Sequence, residues 1–388
     1  MTLLTPAPTK APSYAQWVRR AISRIGASRG QIVTLFDSNV PEPVELLRAT
    51  IAKGFAGPIT SRYTSAFVNG NPYVVQWIAR TYGVEADSIL CTTGATRALS
   101  LLYGALVGEG GRVLVETPGF DLFEGAAVQL GIGVDYFRRT GADFAIDVAQ
   151  VEACLRPRTQ LVVLSNLHNP SGMALSVDVL RDLAALAERR DFHVVVDEVY
   201  QDYAEAGGQP PVRAAEISPR LISISSLTKI FGLSTLRCGW IVAAPEVIAP
   251  VRDWAEQAEF GISNLAHAVA ALVLDDRQSF MDYSLTMLER SRPVIASYHQ
   301  HWIAEGLVEG DLPDHGCITF PRLPDIADTE TFSDWLADRC GVLVAPGEYF
   351  YAPGHIRIGF GAPAGSLDYA LDALTDGLKT YRDKGIGR

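Results

Sequence analysis

The sequence predicts an α/β protein whose larger part is a doubly wound, mainly parallel sheet. Three observations predict it. From residue 89 to about residue 243, short apolar runs alternate with stretches of helical periodicity, the pattern of strands joined through crossover helices. Residues able to hold a ligand fall where those apolar runs end, the edge at which open α/β sheets bind. Finally, 388 residues exceed one such sheet, and after residue 280 a long helical segment leads to a shorter α/β series.

Composition narrows the class. The chain is 48% hydrophobic and 20% charged, ordinary for a globular protein. With a net charge of -11 and no Lys/Arg cluster, nucleic acid and anionic membrane surfaces are excluded as partners. An anionic substrate must then be met by a local arginine. The five cysteines are odd in number and widely spaced without a C-x-x-C, so neither a zinc site nor a disulfide framework is expected, and no metal. No apolar run approaches ~18 residues, and Met1 to Ser13 lacks an apolar signal core, which together predict a cytoplasmic protein.

In chain order, residues 1–12 read as a loose arm. Tyr14 to Ile25 is helical through Trp17, Val18, Ala21 and Ile22, and Gln31 to Phe36 is a short strand. Asp37 to Pro43, with Asn39-Val40 at its centre, is a turn before a helix near Val44 to Lys53. Gly54 to Pro72 is a long polar loop containing Arg62-Tyr63-Thr64-Ser65; loops of that length are functional or disordered. Pro72 opens a helix to Tyr82, a position where its missing N–H is no loss.

Ile89 to Thr92 is the first strand of the alternating region. Gly94-Ala95-Thr96 then opens a helix to about Val107, and a helix N-terminus gathers free N–H groups and the positive dipole end at one point, which suits an anion. Strands follow at Arg112 to Glu116, Ile132 to Phe137 and Gln160 to Ser165, with a helix at Asp147 to Leu155. Phe120 follows the first of these strands; by itself it is equally a core residue of the next helix. Asn166-Leu167-His168-Asn169-Pro170-Ser171-Gly172 is a turn in which His168 serves the turn or faces solvent, and a helix runs from Ser176 to Arg190. Phe192 to Val196 is a fully apolar strand ending in Asp197, a carboxylate that is costly there without a partner. Glu198 reads as structural.

Leu221 to Ile224 and Gly239 to Ala244 are buried strands flanking a loop rich in hydroxyls. Of the five lysines only Lys229, in that loop, follows a buried strand. A desolvated lysine has a depressed pKa, and its neutral amine condenses with an aldehyde. Helices follow at Pro245 to Glu256, Asn264 to Leu274 and Phe280 to about Glu305. The remainder reads as strands at Cys317 to Phe320, Val342 to Ala345 and His355 to Phe360, with helices at Thr331 to Cys340 and Ser366 to Tyr381. Arg357 interrupts an apolar strand.

Ser226-x-Thr228-Lys229, with Arg237 eight residues after the lysine, resembles the cofactor-lysine motif of class I/II aminotransferases, the fold-type I enzymes dependent on pyridoxal 5'-phosphate. The likeness extends over about residues 30 to 380. It implies a seven-stranded sheet and a small α/β domain built from both termini. Residues 1–45 would be the N-terminal part of the small domain, 46–285 the cofactor-binding domain, and 286–388 the linking helix and C-terminal small domain. Lys229 would bond the cofactor aldehyde and move the substrate's α-proton. Gly94, Ala95, Thr96, Ser226 and Arg237 would hold the phosphate, with Tyr63 reaching a partner subunit's phosphate in a homodimer with shared sites. Phe120 would stack on the ring, Asp197 would pair with its nitrogen, and Asn169 and Tyr200 would bond its ring oxygen. Arg357 would clamp the substrate carboxylate in a bidentate fork, with Asn169 and the Asn39 turn nearby. The resemblance also implies cis bonds at Thr117–Pro118 and Asn169–Pro170.

The implied activity moves an amino group between an amino acid and a 2-keto acid. Lyases, decarboxylases, cyclases and racemases use the same constellation, so they stay open. A ligand-sensing transcription regulator would need a DNA-binding module, and residues 1–30 are too short and not basic enough to supply one.

Overall fold

The computed structural model describes residues 13–57, 61–64, 69–206, 208 and 211–383; the arm expected at residues 1–12 lies outside them. Seven strands form the large sheet: β2 (Ile89–Thr92), β3 (Arg112–Thr117), β4 (Gly133–Arg138), β5 (Thr159–Ser165), β6 (His193–Asp197), β7 (Leu221–Ser226) and β8 (Gly239–Val242). Their spatial order is β2-β8-β7-β6-β5-β3-β4. β8 alone runs against its neighbours. The cause is local: no crossover helix separates β7 from β8, so the chain returns beside β7 in the opposite direction.

Alternation along the strands sends side chains to two apolar layers. Val113, Val115 and Val195 join Leu99 and Leu102 of the helix Ala95–Leu106 on one face. Leu114, Val194 and Val196 join Leu180 and Leu183 of the helix Val177–Arg190 on the other. The chain winds outward from β3 to β4, then returns to β5 on the far side of β3. The parallel strands β2, β3, β5, β6 and β7 all release the chain at the same edge of the sheet.

The ends of the chain meet in the smaller part. β1 (Val33–Thr34) pairs in parallel with β10 (Val342–Leu343). β9 (Ile318–Thr319), β11 (Ala345–Pro346) and β12 (Ile356–Gly359) make a three-stranded antiparallel sheet. The 28-residue helix Arg277–Ala304 packs along the closing helix Ala364–Asp383.

Three local expectations need correction. The strand expected at Gln31 to Phe36 is only two residues long, matched to the two residues of β10 with which it pairs. The run Val342 to Ala345 is two strands, since the chain leaves one sheet and joins the other around Val344. Thr117–Pro118 is cis, but the second cis bond lies at Asn166–Leu167, not at Asn169–Pro170.

Candidate active site

At the carboxyl edge of the large sheet lies a cavity of about 210 Å³. Lys229, Asp197, Arg237 and Arg357 all line it, with Ala95, Thr96, Phe120, Asn169 and Ser226. Residues from six separate stretches of sequence therefore converge on one space.

The lysine loop is shaped by its turns. Gly232, at φ +66°, donates its N–H to the Lys229 carbonyl at 3.0 Å. Lys229 Nζ donates to Ser38 Oγ at 2.8 Å and stands 5.0 Å from the centre of the Tyr200 ring. Ser226 Oγ meets Thr228 Oγ1 at 3.0 Å. Arg237 takes the left-handed conformation, φ +50°, as the chain turns into β8.

Its guanidinium lies over Gly94. A Cβ on Gly94 (φ +80°) would come within 2.5 Å of Arg237 Nη2, and one on Gly239 would come within 2.5 Å of the Gly94 carbonyl carbon. These two glycines let the arginine and the start of the helix Ala95–Leu106 approach one point. First-turn N–H groups lack intrahelical acceptors, and no side chain caps this helix. The result is a cationic cradle for an anion.

Asp197 ends β6. Burial pushes its carboxyl up to about 7, against the opposing pull of a Val199 N–H bond at 3.2 Å and the charge of Lys229. The Tyr200 hydroxyl is buried with no partner among the described residues. Phe120 lies edge-on to Phe123 at 5.9 Å.

Arg357 is 1% exposed, far from the surface arginine that its charge alone suggests. Its Nη1 donates to Asn169 Oδ1 at 3.0 Å, and its Nη2 to the Phe36 carbonyl at 3.0 Å and to the Tyr14 hydroxyl. Asn169 is held in turn by Ser165 Oγ, which accepts its N–H at 3.0 Å. Ser165 is fixed by a fully buried ion pair: Glu116 Oε1 accepts the Ser165 N–H and hydroxyl, and Arg139 bonds Glu116 at 2.7 Å and the Ser165 carbonyl at 2.6 Å. His168 is buried and stays neutral, its basicity lowered by desolvation and then by Arg139. Its Nε2 faces the Pro118 carbonyl at 2.9 Å and its Nδ1 the Ser171 hydroxyl at 2.7 Å, so it serves the turn.

Two expected site residues stand apart. Asn39 turns its amide onto the Val40 carbonyl at 2.7 Å, and its neighbour Ser38 lines the cavity instead. Tyr63 is 43% exposed and does not line the cavity of its own chain. Sequence reasoning missed Tyr14, Ser38, Ser165 and the Glu116–Arg139 pair. The last are 23 residues apart, a separation that carries no periodic signal. Among the described residues no group of His, Cys, Asp or Glu could hold a metal, and no helix is long and apolar enough to cross a membrane.

The family model for aminotransferase class I and II matches residues 42–374. The chain is 29% identical over 306 residues to the capreomycidine synthase of Streptomyces vinaceus, covering 77% of each chain. It is 26% identical over 365 residues to an arginine–pyruvate transaminase of Pseudomonas aeruginosa, covering 88% of each. Among solved structures it superposes on a PLP-dependent aminotransferase from Streptococcus suis with a TM-score of 0.83 and 22% identity, over 96% of this chain and 99% of that one.

Proposed function

The chain belongs to the class I and II aminotransferases, enzymes that depend on pyridoxal 5'-phosphate, and from that premise we propose that it moves an amino group between an amino acid and a 2-keto acid. One observation carries the reading: Lys229, Asp197, Arg237 and Arg357, an amine, a carboxyl and two guanidinium groups, line a single cavity.

The residues present fit the cofactor. The cradle at Gly94 would be filled by any Cβ, and its N–H groups and Arg237 suit a phosphate. Asp197 is a buried carboxyl facing the cavity, and Tyr200, whose ring lies 5.0 Å from Lys229 Nζ, has a hydroxyl with no partner among the described residues. Gly94, Ala95, Thr96, Ser226 and Arg237 would hold the phosphate, Phe120 and Asp197 the ring, and Asn169 and Tyr200 its oxygen. When bound, the cofactor supplies an electron sink for charge developing at the substrate's α-carbon.

The chain's own groups do the rest. Lys229 is the amine that would hold the cofactor's aldehyde carbon. Freed by the substrate amine, Nζ would take the α-proton as general base and deliver it to the cofactor's former aldehyde carbon as general acid. Ser38, at 2.8 Å, steadies that amine. With the cofactor bound, Asp197 would pair with the ring nitrogen and keep a proton on it. Arg357 binds the α-carboxylate, and Asn169 keeps the guanidinium in place.

In this reading residues 46–285 carry the cofactor, while 1–45 and 286–388 form the small domain. The active unit is a homodimer in which exposed Tyr63 serves the partner's site. All five cysteines are free thiols, which supports a reducing compartment such as the cytoplasm. The similarity to a relative named a synthase, not a transaminase, favours a second reading, a pyridoxal-phosphate-dependent lyase, decarboxylase, cyclase or racemase acting on an amino acid.

The test is chemical. Protein loaded with cofactor and reduced with borohydride should carry the label on the peptide containing Lys229, and Lys229→Ala should abolish turnover. Label on any other lysine refutes the assignment. Single-turnover reactions across an amino-acid panel then separate the readings: a 2-keto acid formed while the amino nitrogen stays on the enzyme marks transamination, whereas a keto acid released together with ammonia, carbon dioxide, or a rearranged or inverted amino acid marks the second reading.

A further inference from the structure

We propose that Tyr14 supplies the second tooth of the substrate-carboxylate clamp, its hydroxyl donating to one carboxylate oxygen while Arg357 donates to the other. The inference rests on the reading of Arg357 given above and changes its geometry. A guanidinium offers two bidentate forks, end-on through Nη1 and Nη2 or side-on through Nε and Nη2. Both forks need a hydrogen on Nη2, which has two. One is given to the Phe36 carbonyl at 3.0 Å and the other to the Tyr14 hydroxyl. The two N–H groups left over, one on Nη1 and one on Nε, do not share a fork; Nε is buried without a partner among the described residues. The two-toothed contact expected of this arginine is therefore closed unless a partner leaves Nη2.

Tyr14 is not built to leave. Its N–H is fixed to Asp121 Oδ2 at 2.7 Å. Its ring stacks on Trp17 at 5.7 Å and leans on Phe350 at 5.2 Å, and the Arg357 guanidinium lies 5.0 Å from its centre. The hydroxyl accepts from Arg357, and among the described residues its own proton has no acceptor, although Tyr14 lines the cavity. Burial pushes its pKa up to about 12, so that proton stays on the oxygen at neutral pH. A donor held rigidly beside a cation, facing the space where a carboxylate must sit, is preorganised for it.

Binding of 4-methylpentanoate, a carboxylate that cannot react, to the cofactor-loaded enzyme tests this by calorimetry. Tyr14→Phe keeps the ring and removes the hydroxyl. It should raise the dissociation constant about tenfold, the loss of one hydrogen bond to a charged group. The preference for this carboxylate over its uncharged amide, 4-methylpentanamide, should shrink by the same factor. Unchanged or tighter binding by Tyr14→Phe, with binding weakened by Arg357→Lys, overturns the role of Tyr14 and leaves the arginine clamp standing. If Arg357→Lys also binds normally, the clamp itself is wrong and this inference falls with it.

Discussion

Asp197 and Glu198 are consecutive, and both carboxyls are pushed up to about 7, chiefly by burial. Their surroundings are nevertheless opposite. Glu198 faces the packed side of the strand end. It accepts from the Ala214 N–H, from Ser223 Oγ at 2.7 Å and from the Tyr82 hydroxyl at 3.0 Å, with Arg213 near enough to favour its charge. Asp197 faces the cavity with a single hydrogen bond. Burial and a shifted acidity are thus common to a carboxyl bonded into the packed interior and one that lines the cavity. What separates them is unused bonding capacity aimed at empty space.

Parallel substitutions break or sharpen that contrast. Asp197→Asn should keep the cofactor yet lose about 4 kcal/mol or more of transition-state stabilisation, several orders of magnitude in rate. Glu198→Gln should hold kcat within about threefold, because its partners lie outside the cavity, and cost about 1–2 kcal/mol of stability from the disturbed bonds. Equal losses of rate in both variants would erase the distinction. A smaller effect is expected at the other end of the cavity. Arg357→Lys keeps the charge but cannot reach Asn169, Phe36 and Tyr14 together, so amino-acid binding should weaken by roughly 1.5–3 kcal/mol with cofactor absorption unchanged. An equal loss for an amine without a carboxylate would assign Arg357 elsewhere.

The same contrast governs what was legible in the sequence. Asp197 stood out because a charge closes the run Phe192 to Val196, apolar but for His193, and the large sheet was readable because each strand is a run of four to seven residues. The small-sheet strands were placed but not bounded, since pairs such as Val33–Thr34 and Ala345–Pro346 are too short to show a period. Lys229 and Arg237 were found through their spacing. Tyr14 had no spacing to betray it: it reaches Arg357 across 343 residues of chain. Ser38 was passed over for Asn39 because both are polar turn residues, and only the backbone decides which faces inward.

The final expectation is a pH dependence, and it tests the contrast without any turnover. Between the ordinary aspartate value, 3.8, and about 7, folded Asp197 holds a proton that the unfolded chain has released. Stability of the cofactor-free protein should therefore fall as pH rises through that window and level off above it. Glu198 contributes a fall of the same sign between 4.5 and about 7. Buried neutral His168 acts the other way up to about 6.5, but it is common to every variant and cancels in differences. Cofactor-free Asp197→Asn should thus gain on wild type by about 1 kcal/mol between pH 6 and 7, and Glu198→Gln should show a similar relative gain. Adding the cofactor distinguishes them. A cation beside Asp197 favours its charged form, so Asp197→Asn should lose its relative gain, while Glu198→Gln, whose carboxyl faces away, should keep it. Melting curves of the three proteins at pH 6 and 7, with and without pyridoxal phosphate, are sufficient. If Asp197→Asn runs parallel to wild type without cofactor, the carboxyl is already ionised in the empty cavity, and its difference from Glu198 must lie in position alone.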